Sequence, residues 1–197
     1  YGNNRYSYAN VLQWLNSNAT AGNWYSAKHS ADQSPSSASY VSNNPYSSKA
    51  GFLAMLDDNF VAALLNTTVT VAKNAVTDGG SYETVTAKMH LPSTTEVGLA
   101  NENSIAEGAK LALFSDNTSR LAYPTAQCVS NSDYTNSSFN ASAAWYYWLR
   151  TPYSGDSYDV RNVISSGALN YGNAYGGAGG VRPLCNLSSS ILVSDTT

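Results

Sequence analysis

The stretch WYYWLR (Trp145–Arg150) decides how the chain is read. It is apolar and aromatic enough to be a buried strand rather than a surface segment. Val160–Ile164 and Val181–Leu184 read as two further short strands. Between them runs a segment built from Gly, Ser, Asn, Tyr and Ala, and Ser190–Val193 reads as a last strand.

Upstream, the periods change. Tyr8, Val11, Leu12 and Leu15 fall on one stripe of a helix, with Ser7 as its expected N-cap and Trp14 beside the stripe. From Asn16 to Ser48 the chain is irregular, with Trp24, Tyr25, Tyr40, Val41 and Tyr46 as expected anchors. A second helix is expected from Asp57 or Asp58, carrying Phe60, Val61, Leu64 and Leu65. Thr67–Lys73 and Tyr82–Leu91 each alternate with a period of two around the Asp78-Gly79-Gly80 turn, the pattern of a β-hairpin closed by Pro92. Ser93–Glu96 and Ser104–Glu107 both match a capping box, in which a hydroxyl and a carboxylate satisfy the first backbone N–H groups, so each is expected to open a short helix.

Composition narrows the function. The chain has 197 residues, enough for one well-buried domain. Charged residues make up only 12%, while Ser and Asn together supply about a quarter and Tyr outnumbers Phe by 15 to 4. Such a surface meets polar partners through hydroxyls, amides and phenols. The net charge is −3 and no Lys/Arg cluster occurs, so the basic face that nucleic acid requires is missing. No apolar run approaches the roughly 20 residues of a membrane span. Tyr1 is not an initiator Met, and the chain is expected to be a fragment of a larger protein. Cys128 and Cys185 lack metal-site spacing; they are either one disulfide or two buried thiols.

WLRTP (Trp148–Pro152), VRNV (Val160–Val163), SSGALN (Ser165–Asn170) and GGVRPL (Gly179–Leu184) together resemble a family of uncharacterised bacterial and phage domains. LPSTTEVGLANEN (Leu91–Asn103) and LFSDNTSRLAYPTA (Leu113–Ala126) extend the likeness over most of the chain. That family is similar to the formylglycine-generating-enzyme branch of the C-type lectin fold. The resemblance implies a single α+β domain over residues 1–197, with short helices and a small twisted antiparallel sheet near its C-terminal end. It also implies a place in tail-associated proteins of phages and prophages of gut Firmicutes, on the virion or the cell surface. The same fold carries the variable receptor-binding domains of diversity-generating retroelements, and residues 153–178 are rich in the Asn, Ser, Tyr, Gly and Ala that such mutagenesis produces.

The expected working surface is therefore residues 151–180. Tyr153, Ser154, Asp156, Ser157, Tyr158, Asp159, Arg161, Asn162, Asn170, Tyr171, Asn173 and Tyr175 are its candidate ligand-binding residues. Rigid aromatics give contact area at low entropic cost, and Ser, Asn and Gly give adaptable hydrogen bonds. The plainer alternative is ordinary loop residues, with Tyr packing locally. Arg150 and Arg182 read as structural forks, whereas Arg161 stays open between structure and ligand contact. The expected partners are a bacterial surface protein or glycan and other tail subunits.

Catalysis has little support. His29 and His90 belong to no HExxH or Ser-His-Asp arrangement. The formylglycine-generating relatives use paired cysteines near the C-terminus, whereas Cys185 has only the distant Cys128. Neither EPN nor QPD occurs, so no calcium-dependent sugar site, no other metal and no cofactor is expected. A module that positions neighbouring domains or trimerises a fibre is the alternative to receptor binding.

Overall fold

The computed structural model describes residues 4–24, 48–134 and 136–189. Tyr25, His29, Tyr40, Val41, Tyr46 and the expected strand Ser190–Val193 lie outside the described residues. Within them the chain is a mixed α/β domain of short helices and small antiparallel sheets. Among the described residues no helix is long and apolar enough to cross a membrane.

The first helix starts later than its stripe suggests. Tyr6–Tyr8 form a 3-10 turn, and α1 (Asn10–Leu15) follows with Ala9, not Ser7, at its N-cap. The reason is Tyr6, which is buried and accepts the Leu91 backbone N–H on its hydroxyl at 2.8 Å. That anchor fixes the turn before the helix can begin. Leu12 and Leu15 face the interior. The second helix, α2 (Asp58–Ala63), starts where expected, because Asp57 caps it by accepting the Asn59 and Phe60 N–H groups. It ends sooner: Leu64 and Leu65 leave the helix as β1 and pair with the C-terminal strand.

The hairpin β2 (Thr67–Ala72) and β3 (Tyr82–Ala87) pairs in continuous register from Thr67↔Ala87 to Ala72↔Tyr82. Its second arm stops short of Leu91. Asn16 Oδ1 takes the Lys88 and Met89 N–H groups at 2.9 and 3.0 Å, which turns β4 (Met89–His90) away into another sheet. There β4 and β1 flank β8 (Leu184–Leu187) in the order β1-β8-β4. The strand expected at Val181–Leu184 is thus shifted to Leu184–Leu187, after Pro183, which has no N–H for a ladder.

Neither capping-box motif opens a helix. At Ser93–Glu96 the reciprocal bonds form, Ser93 N–H to Glu96 and Glu96 N–H to Ser93 Oγ, both at 3.0 Å. The chain nevertheless only turns, since Glu96 is also held by Arg150 and Gly98 follows at φ 71°. At Ser104–Glu107 the pattern misleads outright. Ser104 has φ 58°, and Glu107 is buried among Ala72, Asn101 and Thr151. Two short helices that the periodicity does not reveal, α3 (Asn117–Arg120) and α4 (Ala126–Asn131), are capped by Asp116 and Thr125.

The third sheet is β5 (Tyr147–Pro152), β6 (Asp159–Val163) and β7 (Leu169–Asn173) in that order. β7 falls within the stretch read as irregular. β5 stands between two cores. Tyr147 and Leu149 join Val97, Phe114 and Val163 in one, while Trp148 packs on the other, built from Tyr6, Leu12, Leu15, Val71 and Leu91. Arg150 ties the layers together: its Nη1 reaches Leu91 O at 2.8 Å and Glu96 Oε2 at 2.6 Å, and its Nη2 reaches Glu107 O at 2.6 Å. Arg182 lies over the Phe114 and Tyr147 rings, at 5.0 and 5.3 Å. Both arginines make contacts inside the fold. Cys128 and Cys185 are free thiols.

Candidate binding face and cleft

The β6–β7 register sets what can meet on each face of the hairpin. Arg161 pairs with Tyr171 and Asp159 with Asn173, so these four project to the same side. Tyr153 completes the row: its ring stacks on Tyr171 with centroids 4.0 Å apart and planes 2° from parallel. The Arg161 guanidinium lies 4.7 Å from the Tyr153 centroid and 5.7 Å from that of Tyr171. Glu102 accepts from Arg161 Nε at 2.7 Å and from the Ser154 N–H at 3.2 Å. The cation is paired with Glu102, Tyr153 is half-buried in the stack, and Tyr171 stays exposed. The adjacent Tyr171 ring is the main cause that holds the Tyr153 phenol above its usual range.

The loop that delivers Tyr153 is clamped by two distant amides. Asn4 Nδ2 donates to the carbonyls of Tyr153, Asp156 and Asp159, and Asn74 Nδ2 to those of Tyr153 and Asp156. Asp156 turns the chain by accepting the Tyr158 and Asp159 N–H groups at 2.9 and 2.7 Å. Its carboxylate therefore shapes the loop. The Asp159 carboxyl is pushed up, by burial first and by the neighbouring Asp156 second.

The twelve expected residues divide into three groups. Tyr158, Asn170, Tyr171, Asn173 and Tyr175 are exposed, the three tyrosines by 47, 45 and 37%. Tyr153, Ser154, Asp156, Ser157 and Arg161 are half-buried. Asp159 and Asn162 are buried, at 7 and 6%, and do not belong to an accessible face. Alternation explains Asn162, which points opposite Arg161 in the central strand and lies under two neighbours. Tyr171 stands at the middle of the hairpin opposite Arg161, and Tyr158 and Tyr175 flank its open end. Ala174 N–H donates to Tyr158 O at 2.8 Å there, and Asn173 Nδ2 donates to the Tyr175 hydroxyl at 2.6 Å. On the outer edge, Asn170 Oδ1 accepts the Tyr171 N–H at 2.9 Å, which blocks one of the donors that an added strand would need.

The opposite face of the same strands carries a cleft of about 190 Å³ that the sequence reading missed. Tyr8, Val11 and Trp14 line it from the N-terminal helical segment, Trp148 and Val160 from β5 and β6, and Tyr175 from the turn after β7. Glycines keep it open. A Cβ at Gly179 would lie 2.0 Å from Trp148 Nε1, and one at Gly172 3.3 Å from the same indole. The available signal was the run Tyr175–Gly180, whose small residues allow close approach to an aromatic plate.

A family model described as a domain of unknown function (DUF6273) matches residues 1–189. The chain belongs to that family. No curated protein and no solved structure matches it. Its β5–β6–β7 sheet bears exposed tyrosines on one face and a small aromatic cleft on the other. Among the described residues of this DUF6273 domain, no three His, Cys, Asp or Glu side chains gather to hold a metal ion.

Proposed function

We propose that this domain is a non-enzymatic recognition module of C-type-lectin-like fold, carried by a phage or prophage tail-associated protein and directed at the bacterial host surface. The observation that carries the reading is the set of exposed tyrosines along the β6–β7 hairpin and beside its open end. Tyr158, Tyr171 and Tyr175 stand out to solvent, Tyr153 braces Tyr171 from behind, and the one cation among them is paired with Glu102. Rings held in place before binding lose little entropy on contact, which is how a small patch gains affinity. The short helices, the small antiparallel sheets and the quoted sequence motifs support the fold assignment.

Thiol chemistry is the weaker reading. Burial pushes both Cys128 and Cys185 up from the ordinary thiol range, the opposite of what a reactive thiolate needs. Fibre assembly by strand addition is also disfavoured, because Asn170 occupies an outward N–H of the edge strand.

The test is direct. The fluorescently labelled chain is titrated onto a panel of gut Firmicute strains. Saturable binding to particular strains is the expected result, and uniform or absent binding across the panel rules the reading out.

A further inference from the structure

We infer that Arg182 is a docking point for one oxyanion, a carboxylate or a phosphate, held beside the end of α3. The site does not use the exposed tyrosines, so it goes beyond the recognition reading above and is tested separately from it.

The first argument is how the cations are matched. All five arginines of the chain lie among the described residues. Arg5, Arg150 and Arg161 each face a carboxylate, of Glu83, Glu96 and Glu102, at 2.6, 2.6 and 2.7 Å. Arg120 and Arg182 make no ion pair among the described residues, and the two adjoin: Arg182 Nη1 reaches Arg120 O at 3.3 Å and Leu121 O at 3.5 Å. Arg120 is buried, and its Nε, Nη1 and Nη2 go to Gly167 O, Val97 O and Asn117 Oδ1, all neutral acceptors. Asp116, at the other end of α3, spends its carboxylate on the Ser119 N–H at 2.8 Å. The end of α3 thus carries two positive charges with no carboxylate paired to them, in a chain whose net charge is −3. A charge drawn out of water without a counter-charge is costly, and an anion brought up to it recovers part of that cost.

The second argument is the shape of what Arg182 leaves free. Its guanidinium lies over the Phe114 and Tyr147 rings, at 5.0 and 5.3 Å, and gives only Nη1 to the protein. Nε and Nη2 find no acceptor among the described residues, and neither is sealed from solvent. Those two nitrogens form an edge of the guanidinium fork, whose parallel N–H groups match two oxygens of a carboxylate or phosphate. Because the rings already hold the guanidinium, less rotamer freedom is lost when an anion arrives. The Tyr147 hydroxyl, which accepts from Arg182 Nη1 at 3.5 Å, also has no acceptor for its own proton among the described residues. Burial holds that phenol above its usual range while Arg182 and Arg120 both oppose the rise, so both cations act on the same spot. A neutral hydroxyl or amide could take one of the free N–H groups, but it leaves the charge unmatched.

The test follows the arginine Nε–H signals of the whole wild-type chain in a ¹H–¹⁵N spectrum. Sodium acetate or, separately, sodium phosphate replaces sodium chloride at constant ionic strength. A single guanidinium open to water binds weakly, so the titration runs into the millimolar range. The Arg182 signal should shift saturably with at least one of the two salts, and the salt that saturates at the lower concentration names the group as carboxylate or phosphate. Arg5 and Arg161 are the internal controls, since their Nε–H groups are already given to Glu83 and Glu102 at 3.0 and 2.7 Å. Arg182→Lys keeps the charge and discards the planar edge. Followed at the backbone amide of residue 182, its affinity for the anion should fall at least tenfold. No saturable shift at Arg182 with either salt, equal shifts at all three arginines, or undiminished affinity in a folded Arg182→Lys overturns the inference. Where that variant does not fold, the wild-type titration decides. Binding of the labelled chain to whole cells is a separate measurement, so the failure of one proposal leaves the other standing.

Discussion

Arg150 Nη1 sits 2.6 Å from Glu96 Oε2, in a pair whose arginine side chain is entirely shut off from solvent. Around them Leu91 O and Glu107 O accept at 2.8 and 2.6 Å, Glu96 Oε1 takes a second Nη2–H at 3.0 Å, and Thr70 O takes the Nε–H at 3.3 Å. A buried pair of this kind persists because each charge and donor has a partner, and removing one side leaves the other charged in a low-dielectric interior. Arg150→Ala is expected to cost about 3–5 kcal/mol, a large share of the roughly 5–15 kcal/mol that holds a domain together. Chemical denaturation should show the loss directly. A change below about 1 kcal/mol would mean that the pair is not an essential tie.

Gly179 lies against Trp148 so closely that a Cβ would overlap the indole nitrogen at 2.0 Å. Gly179→Ala must displace either the indole or the Tyr175–Gly180 run. It is expected to destabilise by about 1–3 kcal/mol, as overpacking does elsewhere, and to shift the Trp148 fluorescence. Wild-type stability with an unchanged spectrum would show that the cleft wall yields freely.

Glu107 titrates unusually. Burial pushes its carboxyl above the ordinary value of 4.5, although Thr151 and the Ala72 N–H both donate to it. A carboxyl whose folded-state pKa is raised favours folding in its protonated form. Its contribution is full below about 4.5 and is lost as pH rises through the folded pKa. The stability of Glu107→Gln minus that of the wild type should therefore increase with pH from about 4.5 upward, whatever constant offset the amide introduces. Denaturant midpoints across pH give the test, and a flat difference contradicts it.

How far the chain announces its own fold depends on where each residue's partner lies. WYYWLR declares a buried strand, which runs two residues later as Tyr147–Pro152, because burial on both faces needs no partner to be named. The Thr67–Ala87 hairpin is legible because its ladder is local, closed by Asp78-Gly79-Gly80. β7 is hidden because Leu169–Asn173 is a half-exposed edge with a glycine in it, so no period of two builds up. α3 and α4, of four and six residues, are too short for a helical period and rest on caps that resemble loop residues. Glu107 shows the deeper limit, since a capping box and a buried carboxylate network can share one local pattern. The exposed tyrosines agree with the segment's alphabet, but the burial of Asp159 and Asn162 does not: they lie on opposite sides of the central strand and are both covered there. The cleft was not foreseeable at all, because Tyr8 and Trp14 meet Trp148 and Tyr175 only through the fold.

The exposed phenols carry the account. Replacing Tyr158, Tyr171 and Tyr175 together by alanine removes side chains that are 47, 45 and 37% exposed, so each should cost the fold only about 0.5 kcal/mol. If they form the recognition surface, as central aromatic contacts do when each is worth about 2 kcal/mol or more, binding of the labelled chain to its host strain should fall by more than a hundredfold while the melting temperature drops only by about 3–6 °C. Undiminished binding by a variant that is still folded would contradict the assignment.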